Sequence, residues 1–461
     1  MKRGVGTVHI EKVTGQETPV GDTAPTDETP GPVGERPRAA PGRLGLVTLF
    51  PLPEDELPPV WVVPGKRSVG RSRAAEIRID DTRVSRVHAT LEPSAEGLYV
   101  EDRGSRHGTF LCGKRIARER VLAPWGSILR VGDQVFLVCP DVERFHARPR
   151  RAGGSGLGLR TPIVAGPALA RVWDEATRAA SQPEGVVILG ETGSGKECIA
   201  RIIHASRREP GPFVGINVNA IPEPLFEAEL FGYERGAFTG AVSAKPGAFR
   251  EAAGGVLFLD EVGDLKLEGQ AKLLRALDQR QVRPLGSNRD ASFDAAIVAA
   301  TSVDLWQACE RGSFRADLFY RLAGVVIRVP PLRERPGDVI LLALESLGQR
   351  EPSLRLSADV AEALVTRRWE GNARELRHVV GQAAHAAASA GHAELALEHL
   401  PATVDAPPEE DGLTRERLEA ALARSGGVVA RAARALGVSR TTFYKAMKRF
   451  GMEPRASSEP C

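Results

Sequence analysis

The run VVILGETGSGKE, residues 186–197, constrains the fold more than any other part of this 461-residue chain. Its four apolar residues predict a buried strand, its glycines a tight loop, and the following CIARIIHAS a helix. In such a loop the backbone N–H groups point at phosphate oxygens, the helix N-terminus adds positive potential, and Lys196 reaches the β- and γ-phosphates. Glu197 departs from the generic pattern, which places a magnesium-binding Ser or Thr after the lysine. The predicted phosphate-binding residues are Gly190, Glu191, Thr192, Gly193, Ser194, Gly195, Lys196 and Glu197.

An acidic motif downstream supplies the other half of a nucleotide site. In GGVLFLDEVGDL, four apolar residues end in Asp260 and Glu261. A carboxylate at the end of a buried strand beside a phosphate loop holds Mg²⁺ directly or through water, which assigns the metal to Asp260. Glu261 is then placed to polarise an attacking water. Together the motifs predict nucleoside triphosphate hydrolysis. The simpler alternative is a glycine-rich turn and an acidic turn that bind no ligand.

The segment that contains both motifs alternates between strands and helices. From Thr161 the apolar runs VVILG, VGINV, VLFLDE and AAIVAAT alternate with helical stretches such as LEGQAKLLRALDQRQ. This alternation predicts a parallel sheet covered by helices. After Pro331 the strands are expected to stop, and helix-like segments continue to about Leu400. We therefore predict an α/β P-loop domain over residues 161–402, with a helical lid from about residue 331.

The N-terminal third differs in composition. Residues 1–43 are rich in Pro, Gly, Thr and Glu and predict a disordered tail. Residues 44–140 carry the short apolar runs LGLVTLF, VWVV, AEIRI, HATLEP, LYVED and QVFLV between Gly, Pro and Asp clusters, which predicts an all-β sandwich. The basic, Gly-rich residues 141–160 and the residues 403–412 are both predicted as linkers.

The C-terminal segment 413–455 holds ten Lys or Arg residues against three Glu. Within it, residues 427–449 predict two helices joined by a tight turn, with Gly437 ending the first and Ser439 capping the second. This all-α pattern resembles the helix-turn-helix of the factor-for-inversion-stimulation (Fis) type, which places its second helix in the major groove of double-stranded DNA. The alternative is a solvated pair of basic helices. The predicted DNA-binding residues are Ser439, Arg440, Thr441, Thr442, Lys445, Lys448 and Arg449.

The run FVGINVNAIPEPLFEAELFGYERGAFTGA, residues 213–241, resembles the central domain of bacterial enhancer-binding proteins, the AAA+ activators of sigma-54 RNA polymerase. The resemblance covers about residues 161–402. Two glycines that bracket an aromatic and a hydroxyl residue suit a flexible tip, although an ordinary Gly-rich turn would share them. In that family this run is a mobile loop that contacts sigma-54, which implies a sigma-54 contact through Gly236, Ala237, Phe238, Thr239, Gly240 and Ala241.

The same resemblance implies roles around the nucleotide. In this family a glutamate commonly follows the loop lysine, as Glu197 does here. Asn217 corresponds to the asparagine that restrains the catalytic glutamate, and Thr301 to the first sensor. Ser302 replaces the asparagine that usually follows, which we expect to weaken sensing there. Arg374, in WEGNARELRHV, corresponds to the second sensor.

FRADLFYRL supplies two further arginines, Arg315 and Arg321, which match the paired arginine fingers of the family. Such a finger stabilises charge on the phosphoryl group bound by the neighbouring subunit. The resemblance therefore implies a homo-oligomer, a hexameric ring that binds ATP and Mg²⁺.

Three clusters in the predicted sandwich resemble a forkhead-associated (FHA) domain, a phosphothreonine-binding module. They are Gly70-Arg71, Ser85-Arg86-Val87-His88 and Ser105-Arg106-His107-Gly108-Thr109. The resemblance implies a phosphopeptide site at Arg71, Ser85 and Arg86, and an arginine fork plus a hydroxyl suits a phosphate dianion. His88 is expected to be a buried structural residue. His107 and Arg106 replace the usual asparagine and small hydroxyl residue, which makes peptide recognition a weaker prediction. An FHA fold kept for packing or dimer contacts is the alternative.

Composition excludes several classes of protein. Hydrophobic residues make up 42% and charged residues 26%, unlike a disordered or collagen-like chain. No stretch approaches the roughly 18 uncharged apolar residues of a membrane helix, so we expect no membrane partner. The first residues lack the apolar core of a secretory signal. Five scattered cysteines without a CxxC pair indicate free thiols and a cytoplasmic protein.

These features predict a sigma-54-dependent transcription activator with an FHA sandwich, an AAA+ ATPase and a helix-turn-helix. It would bind upstream DNA and use ATP hydrolysis to convert a closed promoter complex into an open one. A phosphothreonine-containing protein, and hence a Ser/Thr kinase, would regulate it through the FHA domain. One alternative is a phosphorylation-dependent DNA-binding adaptor or repressor that binds ATP without turnover. Another is an AAA+ remodeller of a different target.

Overall fold

The structure is a computed structural model, and part of the chain lies outside the residues it describes. The predicted tail up to Gly42, the linker 403–412 and the DNA-binding residues 439–449 are all outside. The described residues belong to one unit of the chain. They are 43–52, 58–145, 150–152, 163–182, 185–208, 211–401, Leu418, 420–422, Ser425, Val429 and Ala432.

The N-terminal part is a β sandwich, as the spacing of its apolar runs predicts. Its strands are β1 (Gly45–Phe50), β2 (Val60–Val62), β3 (Arg67–Gly70), β4 (Ile77–Arg78), β5 (Ala89–Pro93), β6 (Gly97–Asp102), β7 (Thr109–Leu111), β8 (Lys114–Arg115), β9 (Arg120–Pro124), β10 (Ile128–Val131) and β11 (Gln134–Cys139). One sheet has the order β2–β1–β11–β10–β7–β8, and the other has the order β4–β3–β5–β6–β9. Apolar side chains from both sheets, among them Leu91 and Phe136, fill the space between them.

The segment 141–160, predicted as a linker, is folded where the structure describes it. A 3-10 helix, Val142–Phe145, follows the sandwich directly, and Val142 is fully buried. Strand β12 (Arg150–Ala152) then pairs antiparallel with β13 (Ile163–Ala165). The basic, Gly-rich composition did not indicate this pairing, because the partner strand lies beyond the segment itself.

The α/β domain carries a five-stranded parallel sheet, in which β15 (Phe213–Asn217), β16 (Val256–Asp260), β19 (Ala296–Thr301), β14 (Val186–Leu189) and β20 (Val325–Arg328) lie side by side in that order. Strand register aligns Leu189 with Thr301, and Asn217 with Asp260, so their carboxyl ends meet at one side of the sheet, where parallel sheets form binding sites. The elements are α1 (Pro167–Ala179), β14 (Val186–Leu189), α2 (Lys196–Ala205), β15 (Phe213–Asn217), α3 (Glu223–Phe231), α4 (Ala248–Glu251), β16 (Val256–Asp260), α5 (Leu267–Gln279), β17 (Gln281–Val282), β18 (Ala291–Ser292), β19 (Ala296–Thr301), α6 (Leu305–Glu310), α7 (Ala316–Leu322) and β20 (Val325–Arg328).

Within the described residues the lid consists of three helices, namely α8 (Pro336–Arg350), α9 (Ala358–Thr366) and α10 (Asn372–Ser389). Ser357 caps α9, since its hydroxyl accepts the Val360 N–H at 3.3 Å. The expectation that strands stop after Pro331 is wrong in one detail. Two-residue strands β21 (Arg355–Leu356) and β22 (Glu394–Leu395) pair in parallel beside the helices. They are too short to leave a periodic pattern in the sequence.

Candidate functional site

The glycine-rich loop between β14 and α2 has the backbone shape that phosphate binding requires. Gly193 and Gly195 adopt φ values of +77° and +107°, which residues with a side chain rarely adopt. Helix α2 begins at Lys196, so its N-terminus adjoins the loop. The Ser194 hydroxyl is buried and has no hydrogen-bond partner within the described residues. A buried donor without a partner fits a phosphate oxygen as its acceptor.

Lys196 and the two carboxylates after β16 meet at this loop. Lys196 Nζ donates to the Gly190 carbonyl and to Glu261 Oε1, each at 3.0 Å. Glu261 adopts φ +55°, a strained backbone conformation for a residue with a side chain. Burial acts to raise the pKa of Glu261, but the Ser302 N–H and Lys196 outweigh it and hold the pKa below its ordinary value. Glu261 is therefore ionised and held in place.

Asp260 fits the predicted magnesium ligand in charge and surroundings. Burial, and then the neighbouring charge of Glu261, raise the pKa of Asp260 above its ordinary value. A carboxylate whose charge is disfavoured by burial and by a neighbouring carboxylate is stabilised by a divalent cation. Glu197 is exposed, and its carboxylate pairs with Arg201 at 2.9 Å. Among the residues named here, Asp260 is the one whose environment fits Mg²⁺.

The predicted restraint of the catalytic glutamate is arranged differently in the structure. Asn217 Nδ2 donates to Asp260 Oδ2 at 3.2 Å, whereas Glu261 Oε2 accepts the N–H and hydroxyl of Ser302 at 2.9 and 3.1 Å. The Thr301 hydroxyl is fully buried and accepts the Val303 N–H at 3.0 Å. Ser302, for which the sequence predicts weaker sensing than for asparagine, thus supplies the contact to Glu261. The sequence does not reveal this contact, because Glu261 and Ser302 follow two different strands whose ends meet only in the folded sheet.

The loop borders a cavity of 320 Å³ whose other wall is the lid. Arg374 lines it, as predicted, and so does Arg377, one helical turn further along α10. The residues that line it are Ile163, Val164, Leu169, Thr192, Gly193, Ser194, Gly195, Lys196, Glu197, Cys198, Asp260, Glu261, Arg335, Leu342, Ala373, Arg374 and Arg377. Its apolar end and its cationic loop end suit a base and a phosphate chain respectively.

Side chains of the lid also hold the loop itself, which the sequence did not indicate. Arg333 donates twice to the Glu191 carboxylate, at 2.7 and 2.8 Å. Asn372 Nδ2 donates to Glu191 Oε2 and to the Thr192 carbonyl, each at 3.1 Å. The buried Arg335 donates to the Ser194 carbonyl at 2.6 Å. The shape of the loop is therefore coupled to the position of the lid.

The two predicted arginine fingers lie away from this cavity. Arg315 pairs with Asp317 at 2.8 Å, and Arg321 contacts Asp278 and the Leu277 carbonyl at 3.2 and 3.0 Å. Neither is among the described residues that line the cavity. Within one chain they do not reach the nucleotide site.

The GAFTGA run forms a closed tip between α3 and α4. The Gly236 N–H donates to the Ala241 carbonyl at 2.9 Å, and both Gly236 and Gly240 have positive φ. Phe238 contacts Tyr233 edge-on yet keeps 40% of its surface exposed, and Thr239 is exposed beside it. The tip therefore presents an aromatic ring and a hydroxyl to solvent.

The predicted phosphopeptide residues converge on the loops at one end of the sandwich. Arg71 N–H donates to the Ser85 carbonyl at 2.9 Å, and Ser85 Oγ accepts the Arg106 N–H at 3.2 Å. Arg71 and Arg86 are exposed, and no ion pair is seen for either within the described residues. The prediction for His88 is confirmed: it is fully buried and links the Ser85 N–H to the Gly108 carbonyl.

Asp102, which is not among the predicted site residues, supports these loops. Its carboxylate accepts the hydroxyls of Ser105 and Thr109 at 2.6 and 2.7 Å, and the N–H groups of Gly104 and Ser105 at 2.8 and 2.9 Å. Burial acts to raise the pKa of Asp102, but these four bonds lower it below the ordinary value. Its place before the Ser105–Thr109 run was the available signal.

One further group in the described residues could be taken for a metal site: His392, Glu398 and His399. His399 Nδ1 accepts the Ala396 N–H at 2.9 Å, which leaves the proton of the neutral ring on Nε2. That proton faces His392 Nδ1 at 2.7 Å, so the histidines are each other's partners. None of the helices in the described residues has the length and apolarity needed to cross a bilayer.

Four family models match the chain in succession. They are the FHA domain over residues 67–132, the sigma-54 interaction domain over 163–328, the AAA+ ATPase lid domain over 333–416, and the bacterial regulatory protein, Fis family, over 414–450. The transcriptional regulatory protein GlrR of Escherichia coli K12 is 41% identical over 305 residues, which cover 63% of this chain and 68% of GlrR. The chain belongs to the family of sigma-54-dependent transcription regulators.

Other members of this sigma-54-dependent family show the same extent of similarity. The nitric oxide reductase transcription regulator NorR1 of Cupriavidus necator is 42% identical over 344 residues, covering 66% of each chain. Among solved structures, NtrX from Brucella abortus in complex with ATP aligns at 32% identity and a TM-score of 0.48, over 62% of this chain and 68% of that one. The family models give the N-terminal sandwich as an FHA domain, consistent with its two sheets.

Proposed function

We propose that this chain is an ATP-driven activator of sigma-54 RNA polymerase. Its Fis-type segment binds upstream DNA, its AAA+ domains assemble into a homo-oligomeric ring, a hexamer, and its FHA domain takes a phosphothreonine signal from a partner protein. A regulator with these partners acts in the cytoplasm. The observation that carries the proposal is the exposed Phe238–Thr239 tip, on the same domain as the loop where Lys196 meets Glu261.

The side chains at the loop divide the chemistry among themselves. When bound, ATP with Mg²⁺ supplies the γ-phosphoryl group and the charge that the site must stabilise. Asp260 would hold the metal and Lys196 would reach the phosphates, while the Ser302 N–H and Lys196 keep Glu261 ionised. Ser302 fixes the other carboxylate oxygen, so that Glu261 can orient a water and accept its proton.

Lid and arginine contacts complete the site. Arg374 faces the cavity from α10, and Arg333 holds Glu191 of the loop, so lid position and loop geometry change together. Arg315 and Arg321 lie outside the cavity of their own chain and would act on the nucleotide of the next subunit. Hydrolysis would move the tip, because the tip follows α3 and β15 in the chain, and Asn217 at the end of β15 holds Asp260 of the nucleotide site.

Trapping the hydrolysis state with sigma-54 tests this proposal. Purified protein is incubated with sigma-54 and ADP plus aluminium fluoride, and complexes are separated on a native gel. Wild type is expected to form a nucleotide-dependent complex. Thr239→Ala is expected to hydrolyse ATP at the wild-type rate but to lose the complex, because only the tip has changed.

Lys196→Ala is the matched control for the nucleotide site, and we expect it to lose both ATP turnover and the complex. An equally strong complex from wild type and Thr239→Ala would refute the assignment of the loop. No turnover by wild type at any protein concentration would favour the adaptor that binds ATP without hydrolysis.

A further inference from the structure

The sandwich has an apolar outer face as well as an apolar interior. Along β11, Phe136 and Val138 point to the other sheet, while Val135, Leu137 and Cys139 point outward. An antiparallel sheet with one face in water alternates apolar and polar residues. Here both sets are buried. The runs LGLVTLF and QVFLVC are accordingly almost continuously apolar instead of alternating.

The lid covers this outer face. Helix α9 packs against β10 and β11, and α8 packs against β1. Val47 and Ile128 of the sandwich belong to the same buried cluster as Val339, Val360 and Leu364 of the lid. The sandwich and lid therefore share one hydrophobic core, although about 200 residues of chain separate them.

A buried ion pair lies at the centre of this contact. Glu362 of α9 has 4% of its side chain exposed; it accepts Arg130 Nε at 2.6 Å and the Gly113 N–H at 2.7 Å. The Arg130 guanidinium lies 3.8 Å from the centre of the Phe110 ring. Asp359 also contacts Arg130, at 2.9 Å, but is half exposed. A carboxylate buried to this degree is destabilising without these donors, so loss of either donor would weaken the contact between sandwich and lid.

The contact around Glu362 also includes residues that follow the phosphothreonine loops, the loops that carry Arg71, Ser85 and Arg86. Arg106, whose N–H bonds Ser85, is three residues before β7. That strand carries Phe110, and the turn after it carries Gly113. A displacement of the loop therefore reaches the Gly113 N–H, which donates to Glu362, along the short β7 strand and the turn that follows it.

On the lid side, α9 leads to the nucleotide loop. Trp369 is buried after α9, and its indole N–H donates to the Leu364 carbonyl at 2.8 Å. Three residues later Asn372 donates to the Thr192 carbonyl of the phosphate loop. Arg374 follows on the same helix and faces the cavity.

We propose that the outer sheet of the FHA sandwich is a permanent docking surface for the chain's own lid, centred on Glu362. Through it the phosphothreonine loops and the nucleotide loop influence each other. Binding at one site therefore changes the ligand affinity of the other site, and the factor is the same in both directions. The linkage rests on the proposed function of both sites, whereas the docking itself does not. Glu362 is here a positioning residue.

Amide hydrogen exchange on the full chain tests the docking, with wild type, Glu362→Gln and Asp359→Asn compared. The Gly113 N–H and the amides of α9 should exchange at least about 10-fold faster in Glu362→Gln, because the buried acceptor loses its charge. Asp359→Asn removes an exposed partner of the same arginine and should change these rates less than about 2-fold. Exchange of the wild-type Gly113 N–H at the rate of an unprotected glycine would overturn the docking without reference to any variant. So would equal exchange in wild type and Glu362→Gln.

Adding ADP with Mg²⁺ to the same samples tests the linkage. In wild type, ADP should change exchange of residues 105–113 by several-fold, and in Glu362→Gln this response should disappear while ADP still binds. Bound ADP with no response in wild type would overturn the linkage. Failure of wild type to bind ADP would instead contradict the proposed function, and the docking would still be decided by Gly113.

Discussion

At the scale of single residues, Ser302 and Asn217 each hold one of the two carboxylates that follow β16. Asn217 holds Asp260, and Ser302 holds Glu261 with both its N–H and its hydroxyl. A hydrogen bond to a charged group contributes about 1.5–3 kcal/mol. The hydrogen bond from the hydroxyl is therefore strong enough to set the orientation of Glu261. The hydrogen bond from the backbone N–H is kept in every substitution except proline.

We expect Ser302→Ala to lower kcat for ATP hydrolysis by about 10-fold, the equivalent of about 1.4 kcal/mol. The KM for ATP should not change, since Ser302 does not line the cavity. Steady-state ATPase kinetics measure both values. Ser302→Asn, whose amide can donate in place of the hydroxyl, should recover most of the activity. A wild-type kcat in Ser302→Ala would show that Glu261 does not depend on this hydroxyl.

At the scale of elements, the loop from Asp102 to Thr109 depends on a single carboxylate. Asp102→Asn replaces a charged acceptor of four bonds with a group that can itself donate, so we expect it to lower sandwich stability by about 3 kcal/mol at neutral pH. The urea dependence of amide exchange in β5 and β6 reports this stability. The matched control is Glu101→Gln, at an exposed ion pair with Arg103, for which we expect little change.

The pH dependence of that difference has a definite sign. The pKa of Asp102 in the folded chain is below its ordinary value of 3.8, so its contribution is present above pH 3.8 and is lost as the pH falls through the lower folded value. Wild type and Asp102→Asn should therefore converge only in strong acid. Convergence already near neutral pH would contradict the ionised form of Asp102.

Elements that depend on local pattern could be predicted from the sequence, and contacts between distant elements could not. The strand, loop and helix around Lys196 follow from an apolar run, glycines and a helical segment that are adjacent in the chain. The Ser302–Glu261 contact depends on two strand ends that meet only in the sheet. The apolar runs of β1 and β11 predict strands. The burial of both faces of these strands could not be predicted, because the second face is covered by the distant lid.

At the scale of the whole molecule, the proposed ATPase site is incomplete within one chain. Lys196 and Glu261 lie at the cavity, whereas Arg315 and Arg321 are paired with Asp317 and Asp278 on another surface. A ring that places one subunit's arginines at the next subunit's nucleotide completes the site. Activity is then a property of the junction between two chains.

Mixing two inactive variants should therefore restore activity. Lys196→Ala keeps its arginines but loses the loop lysine, and Arg321→Ala keeps the loop but loses the finger. In a 1:1 mixture about a quarter of the junctions pair an intact loop with an intact finger, so we expect up to about a quarter of wild-type ATP turnover. Mixing Lys196→Ala with the double variant Lys196→Ala/Arg321→Ala should restore nothing, because no loop is intact. If Arg321→Ala alone hydrolyses ATP at the wild-type rate, or if the first mixture stays inactive while both proteins co-assemble, the arginine does not act across the junction.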